Sequence, residues 1–394
     1  MSENKEIKAP IIIVGGGIGG ASAALALSRK GIPSIVLEQS TVFRELGAGI
    51  QMPPNAFRAF ERLGVVDQVL AVAAFPEALI LMDAVSGEQV IKVPVGLPEF
   101  KQRFKYAYAL MHRGDLLEIL IDACRASPLI ELRTGMRVAD FEDHGDKVVA
   151  IMDNGERVEG SALIGADGLW SLTRAKIVGD GSPLTEGDII FRAVIPFEEV
   201  PSELYQTSVV MWGGPHMDFA HYPLRRGEIY NMAAIFRVPP PEDGSTPKGT
   251  AEQLMKEFEK ACPAVRALIP KLDTSRQWVL YERPAIREWF KGRVALLGDA
   301  AHAGYHYIAQ GACMALEDSV VLGDVMATSA TIEEGFRRYR DARYLRTARV
   351  QFTARQFGDL YHAEGINREL RKDVMGKLPP QKVFENLSWV FDGV

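Results

Sequence analysis

Three glycines and one acid, Gly15, Gly17, Gly20 and Glu38, have the types and spacing needed to hold a dinucleotide. Gly15 permits a tight turn, Gly17 lets a pyrophosphate approach the backbone, and Gly20 lets helix and strand pack closely. A helix starting in this stretch would offer unpaired N–H groups and a partial positive charge to the phosphates. Glu38 is placed to accept hydrogen bonds from a ribose. It argues against a 2′-phosphate on that nucleotide but does not separate NAD from FAD. Two further acids follow strand-like runs: Asp167 in "ALIGADGLWSLTR" and Asp299 in "GRVALLGDAAHAGYHYIAQG". The second stretch sets Asp299, His302, Tyr305, His306 and Tyr307 among small residues. A third polar group lies in "WGGPHMDFAHYP". Period-two alternation puts His216, Asp218 and Tyr222 on one face there, and Met217, Phe219 and His221 on the other. An imidazole, with an ordinary pKa of about 6.5, suits proton transfer near neutral pH.

These groups need elements to hold them. A β-branched run, Ile11 to Val14, precedes the glycines, an amphipathic helix follows, and "PSIVLEQ" ends in Glu38. A glycine motif alone is a weak signal, and this strand–turn–helix–strand setting makes it specific. Ser171 and Arg174 follow Asp167 with helical spacing. The helical run "ACMALEDSVVLGDVM" leaves the Asp299 loop. "RVADFEDHGDKVVAIMDNGERVEG" alternates, with turn residues at His144-Gly145-Asp146 and Asp153-Asn154-Gly155. Further strands are expected at 78–84, 89–93, 189–195, 208–212, 217–222 and 230–238. "VPPPEDGSTPKGT" reads as a surface loop. The chain from "IEEGFRRYRDARYLRTARVQFTARQFG" onward is helical, and its arginines are expected on a solvated face.

The 394 residues suffice for two or more units around a large core. A net charge of −6 gives no general attraction to nucleic acid or anionic membrane. No apolar run approaches the roughly 18 residues of a transmembrane helix, and the polar N-terminus shows no signal peptide. Cys124, Cys262 and Cys313 are scattered, form no metal pattern or disulfide framework, and suit a reducing, cytoplasmic setting.

The order of the motifs, GxGxxG near the start, DG midway and GD late, resembles the single-component FAD-dependent aromatic hydroxylases, the class A flavoprotein monooxygenases. The resemblance spans nearly the whole chain. It is strongest to the 3-hydroxybenzoate 6-hydroxylases, through "ELGAGIQ", "HRGDLLEIL", "HYPLRRGE", "AQGACMALED" and "DLYHAEG". It implies an α/β fold: a Rossmann-like FAD-binding domain of the p-hydroxybenzoate hydroxylase type, an interleaved β-sheet substrate domain and C-terminal helices. The expected divisions are 1–76, 113–184 and 286–355 for FAD, 77–112 and 185–285 for substrate, and 356–394 for the C-terminal helices.

The resemblance also implies roles. Gly15, Gly17, Gly20, Glu38, Gln51, Arg113, Val138, Asp167, Asp299, Gly311 and Ala312 would contact FAD. The helix after the Asp299 loop would aim its N-terminus at the flavin and stabilise its anionic reduced form. No second glycine motif is present, so NADH or NADPH would donate electrons from a transient position, near Asp167 and Arg174. A C4a-hydroperoxyflavin formed with O₂ would then hydroxylate a phenolic aromatic acid. The site needs a group to take the phenol proton. His306, Asp218 and Tyr222 are the candidates. In the related 3-hydroxybenzoate enzymes the first two positions carry glutamine and histidine, so these departures fall at the substrate. Asp218 would repel an aromatic carboxylate unless a cation or proton intervenes. His302 and His221 read as packing or capping residues. The alternatives are hydroxylation of an N-heteroaromatic acid, a non-hydroxylating FAD dehydrogenase or oxidase, and a non-catalytic flavin-binding protein. The family is compatible with a homodimer.

Overall fold

The computed structural model describes residues 6–44, 48–202, 204–239, 241 and 245–393. Residues 45–47 of "ELGAGIQ", and Pro240 and 242–244 of the expected surface loop, lie outside the described residues.

The first sheet has six strands in the order Phe290–Lys291, Val294–Leu296, Leu163–Gly165, Ile11–Val14, Ser34–Glu38, Ile130–Thr134. The last five run parallel, and the first is an antiparallel edge. Ile11, Ile12 and Ile13 are fully buried, as the central strand of a sheet covered on both faces requires. Four of the parallel strands deliver chemistry at their carboxyl ends. Ile11–Val14 runs into the glycine turn, Ser34–Glu38 ends in Glu38, Leu163–Gly165 leads to Asp167, and Val294–Leu296 leads to Asp299. Ligands of open α/β sheets bind at this edge.

Helix Ile18–Ser28 follows the glycine turn, and helix Gly311–Thr328 lies across it. Their backbones approach closely: a Cβ at Gly323 would meet the Ala26 carbonyl at 2.8 Å.

The second large sheet has seven strands, in the order Asp273–Val279, Asp188–Pro196, Ile229–Arg237, Met217–Leu224, Val209–Gly214, Leu79–Asp83, Gln89–Val93. Phe191, Phe219, Met232 and Phe236 from one face pack with Leu254, Val265 and Leu268 of short helices in a separate core. The opposite face, with Ile190, Arg192, Ala220 and Ala233, lines a cavity at the carboxyl edge of the parallel sheet. A three-stranded antiparallel sheet, Val138–Asp143, Val148–Met152 and Arg157–Gly160, turns at Gly145 and Gly155 with φ of +85° and +84°. A two-stranded sheet pairs Gly49–Met52 with Ala109–His112. It joins the segment expected in the FAD unit to the segment expected in the substrate unit.

Helices Ile332–Tyr361, Gly365–Met375 and Pro380–Phe391 complete the chain. The expectation of solvated arginines on the first of these fails at two positions. Arg343 is fully buried, with Nη1 donating to Glu317 Oε2 at 2.6 Å and Nε to Asp318 Oδ1 at 2.7 Å. Arg346 Nη2 donates to Glu317 Oε1 at 2.7 Å. The neighbouring helix carries two fully buried carboxylates, and charges in an interior must be paired. Arg337 and Arg338 are exposed as expected, each beside a glutamate one turn earlier.

Candidate active site

A cavity of about 360 Å³ lies between the carboxyl edge of the parallel sheet and the open face of the seven-stranded sheet. Its walls at the nucleotide end include Gly17, Ile18, Gly19, Arg113, Gly298, Asp299, Gly311 and Ala312.

The backbone here fits a dinucleotide. Gly15 has φ of +103°, and a Cβ would meet the Ala166 carbonyl oxygen at 2.4 Å. At Gly20 a Cβ would lie 1.9 Å from the Gly15 carbonyl oxygen, so only glycine allows the helix this close to the strand. Gly311 opens helix Gly311–Thr328, and a Cβ there would meet no protein atom within 4 Å. That open space is cavity, at the positive end of an 18-residue helix. Asp299 is exposed in the wall.

The other expected cofactor residues occupy different places. Glu38 accepts the Gly16 N–H at 2.7 Å and the Ser40 N–H at 2.8 Å, so it braces the glycine turn. Asp167 accepts from the Ser171 hydroxyl at 2.6 Å and the Thr173 N–H at 2.9 Å. Its carboxylate therefore fastens the first turn of helix Leu172–Ile177. Arg174 is fully buried and donates to Asp180 and to the Ala300 and Ala301 carbonyls. It ties the Asp167 segment to the Asp299 segment, and burial keeps it from a transient nucleotide. Val138 starts its strand half-buried, opposite Met152, and does not line this cavity. Gln51 lines it and accepts from the Tyr108 hydroxyl at 2.6 Å.

The substrate end is built from rows of residues paired across the sheet. Arg192 pairs with Ala233, Ala233 with Ala220, and Ala220 with Met211. One row to one side, Ile190 pairs with Ile235 and Ile235 with Asp218. On the other side Tyr222 pairs with Asn231. The two alanines leave a shallow floor with a guanidinium at one end. Among the described residues, Arg192 Nε is buried and meets no hydrogen-bond partner. Its guanidinium carbon lies 5.4 Å from the Trp278 ring centroid. Burial lowers the Arg192 pKa without neutralising so strong a base. An orphaned donor on a cavity floor is a place for an anion.

Tyr222 covers Gly49, where a Cβ would meet its ring at 2.5 Å, and burial raises its pKa to about 12. Asn231 Oδ1 accepts the Gly49 N–H at 2.7 Å. The expected face thus holds for Asp218 and Tyr222, with Ala220 between them. It fails for His216, which sits in the turn before the strand with φ of +58° and a 65% exposed side chain. His221 points to the separate core, where it meets the Trp212 Nε1–H at 3.0 Å, and burial depresses its pKa to about 3.

A second cavity, about 350 Å³, continues past His306. The two share Gln51, Ala220, His306 and Ala309. The second is walled by Leu79, Leu81, Ile91, Phe357, Tyr361 and the C-terminal Val383, Leu387 and Phe391, with Asp218 among the few polar groups. His306 presents accessible ring surface to both cavities. It is nonetheless deep in the protein, and loss of bulk water pushes its pKa below the ordinary value.

Three participants were not singled out from sequence: Arg192, Asn231 and His362. A lone arginine inside the apolar strand "DIIFRAVIP" was a signal for the first. His362 Nε2 lies 2.9 Å from Asp218 Oδ2, and no local pattern links residues so distant in the chain.

A glycine cradle at the carboxyl edge of a parallel sheet, facing a polar-floored antiparallel sheet, is the arrangement of a dinucleotide-dependent oxidoreductase. The chain matches the FAD binding domain family over residues 8–352 and belongs to it. It is an FAD-dependent class A flavin monooxygenase of the aromatic hydroxylase type. It is 38% identical over 383 residues to 3-hydroxybenzoate 6-hydroxylase of Polaromonas naphthalenivorans (strain CJ2), covering 97% of this chain and 95% of the relative. It is 30% identical to 3-amino-4-hydroxybenzoate 2-monooxygenase PtmB3 of Streptomyces platensis, with 97% and 95% covered. The fold is shared with Klebsiella pneumoniae HpxO complexed with FAD and uric acid, at TM-score 0.85 and 24% identity, covering 97% and 96%. Among the described residues, no helix is long and apolar enough to cross a membrane.

Proposed function

We propose that this enzyme hydroxylates an aromatic acid bearing a ring hydroxyl, 3-hydroxybenzoate or a close relative, at the expense of NADH or NADPH. The observation that carries the reading is the Arg192 guanidinium, whose buried Nε has no hydrogen-bond partner among the described residues, at one end of the alanine floor, in cavities also lined by Asp218, Tyr222 and His306. The likeness to the 3-hydroxybenzoate 6-hydroxylases supports the substrate class. The balance is aromatic acid, O₂, NAD(P)H and a proton in, and hydroxylated acid, NAD(P)⁺ and water out.

When bound, FAD supplies the redox and oxygen chemistry. Gly17, Asp299, Gly311 and Ala312 hold it. Arg192 takes the substrate carboxylate, and the small side chains of Ala220 and Ala233 admit the ring edge. Tyr222, kept neutral by burial, donates a hydrogen bond. His306, whose lowered pKa keeps the imidazole neutral at neutral pH, takes the phenol proton, with Asp218 as the alternative base. Apolar walls on the far side exclude water from the ring. We assign 1–76, 113–184 and 286–355 to flavin binding and 77–112 and 185–285 to substrate binding. The exception is Ala109–His112, whose strand partner lies in the flavin unit. Three free, buried cysteines suit a reducing cytoplasm.

The test is a screen of hydroxybenzoates and hydroxypyridine carboxylates for stimulated NAD(P)H oxidation by the holoenzyme, with the products identified under ¹⁸O₂. One ¹⁸O atom in the product, in step with NAD(P)H consumed, is expected. Stoichiometric peroxide and no hydroxylated product with every compound would make it an oxidase.

A further inference from the structure

Asp218 is ill-suited to a site for anions. It is 5% exposed and faces the cavity that begins at His306. A fixed carboxylate there disfavours a second negative charge nearby. Relief comes from outside the sheet. His362 caps the carboxyl end of helix Ile332–Tyr361, where a cation is favoured, and its Nε2 lies 2.9 Å from Asp218 Oδ2. The imidazole is held in place: its backbone N–H bonds the Gly358 carbonyl at 3.0 Å, and its ring stands edge-on to Tyr307 at 5.7 Å.

The other charges around it are already committed. Asp188 is paired with Arg237, Nε to Oδ1 at 2.8 Å. Arg368 and Arg371 of the next helix bind Asp83. Glu364 faces the exposed His216 at 3.9 Å. His306 and Tyr307 complete the surroundings.

We propose that His362 is the counter-ion of Asp218 and thereby a specificity residue: the pair presents a charge-neutral wall that admits an anionic aromatic ligand, a carboxylate or a phenolate. This rests on the aromatic-acid reading above. Burial works against a charged imidazole, and the hydrogen bond and charge of Asp218 outweigh it, so His362 titrates above its ordinary value. The imidazolium is present below that pKa. Affinity for an anion therefore falls as pH rises through it, and affinity for a neutral ligand does not.

Binding to the holoenzyme, read from the flavin absorbance, tests this with 3-hydroxybenzoate and its uncharged amide. His362→Gln keeps a donor to Asp218 and removes the charge. The acid should bind about tenfold or more weakly, as for a lost charge partner at a partly buried site, and the amide within about twofold of wild type. Adding Asp218→Asn should restore the acid. Equal losses for both ligands, or no loss, would overturn the proposal, as would a wild type that binds the amide but not the acid. If the variant does not fold, the wild-type pH titration decides: parallel curves for acid and amide overturn it. Wild-type protein that binds no hydroxylated aromatic, charged or neutral, removes the functional reading as well.

Discussion

His302 Nε2 lies 2.6 Å from Asp318 Oδ2, and the same oxygen accepts the Gly298 N–H at 3.1 Å. The loop that carries Asp299 is thus pinned to helix Gly311–Thr328 by one carboxylate, which Arg343 steadies from its other oxygen. Burial opposes the charged form of Asp318, and the charges of His302 and Arg343 outweigh it, holding its pKa below the ordinary value. A depressed carboxylate pKa contributes stability that is fully present above the unfolded value of about 3.9 and is lost as pH falls through the folded value. Asp318→Asn should therefore lower stability at neutral pH by about 3–5 kcal/mol, the cost of breaking a buried pair. Denaturant melts at pH 7 and at a pH well below about 3.9 check this. The gap between variant and wild type should narrow in acid.

Two glycines separate fold from cofactor. Gly20→Ala puts a methyl against the Gly15 carbonyl, so both stability and flavin content should fall, stability by about 1–3 kcal/mol or more. Gly311→Ala meets no protein atom and improves helix propensity by up to about 1 kcal/mol. Its apoprotein should melt at or above the wild-type temperature, while FAD is held less tightly. Calorimetry of both apoproteins, paired with FAD titration, tests the contrast. Equal FAD affinity in Gly311→Ala would place the flavin elsewhere.

Asp299→Ala should release FAD on gel filtration under conditions where wild type retains it. The fold should be intact by circular dichroism, since Asp318 rather than Asp299 pins the loop. Full retention by the variant would remove Asp299 from the cofactor site.

Arg192→Met replaces a half-buried guanidinium, whose Nε lacks a hydrogen-bond partner among the described residues, with an apolar chain of similar length that can still cover Trp278. Removing it should leave thermal stability unchanged or raised, and weaken aromatic acids about 10- to 100-fold, the worth of hydrogen bonds to a charged group. Melting curves and equilibrium binding are the two readings. A large loss of stability would show that Arg192 serves the fold instead.

His306→Ala should slow hydroxylation by about 10²–10⁴-fold if it takes the phenol proton, and Asp218→Ala if it does. Stopped-flow traces separate the half-reactions, and flavin reduction in the presence of substrate should suffer less than oxygen transfer. Variants that reduce and hydroxylate at wild-type rates would leave Tyr222 as the remaining candidate.

The glycine unit and many of the strands were legible because their signals are local: Gly20 is dictated by a carbonyl five residues away, and Gln89–Val93 lies where alternation put it, whereas Gly49–Met52, Ala109–His112 and Asp273–Val279 were not anticipated. What escaped depends on partners remote in sequence. Arg343 repeats with the same spacing as its solvated neighbours, and only the arrival of Glu317 and Asp318 beneath it decides that it is buried. Asp167 and Glu38 stand at motif positions, yet their carboxylates brace backbone. The acid at Asp218 posed a question whose answer, His362, lies on another element altogether.

The central strand Ile11–Val14 pairs early with Ser34–Glu38 but finds its second neighbour only when Leu163–Gly165 arrives, and that strand in turn waits for Val294–Leu296. During synthesis the glycine turn therefore leaves the ribosome long before the sheet edge beneath it exists. Such non-local parallel pairing closes late and slowly. The first half of the chain cannot serve as a portable flavin module. A nascent chain stalled before Val294 would leave the apolar edge of Leu163–Gly165 open to aggregation, so demand for chaperones should end only near the completion of translation.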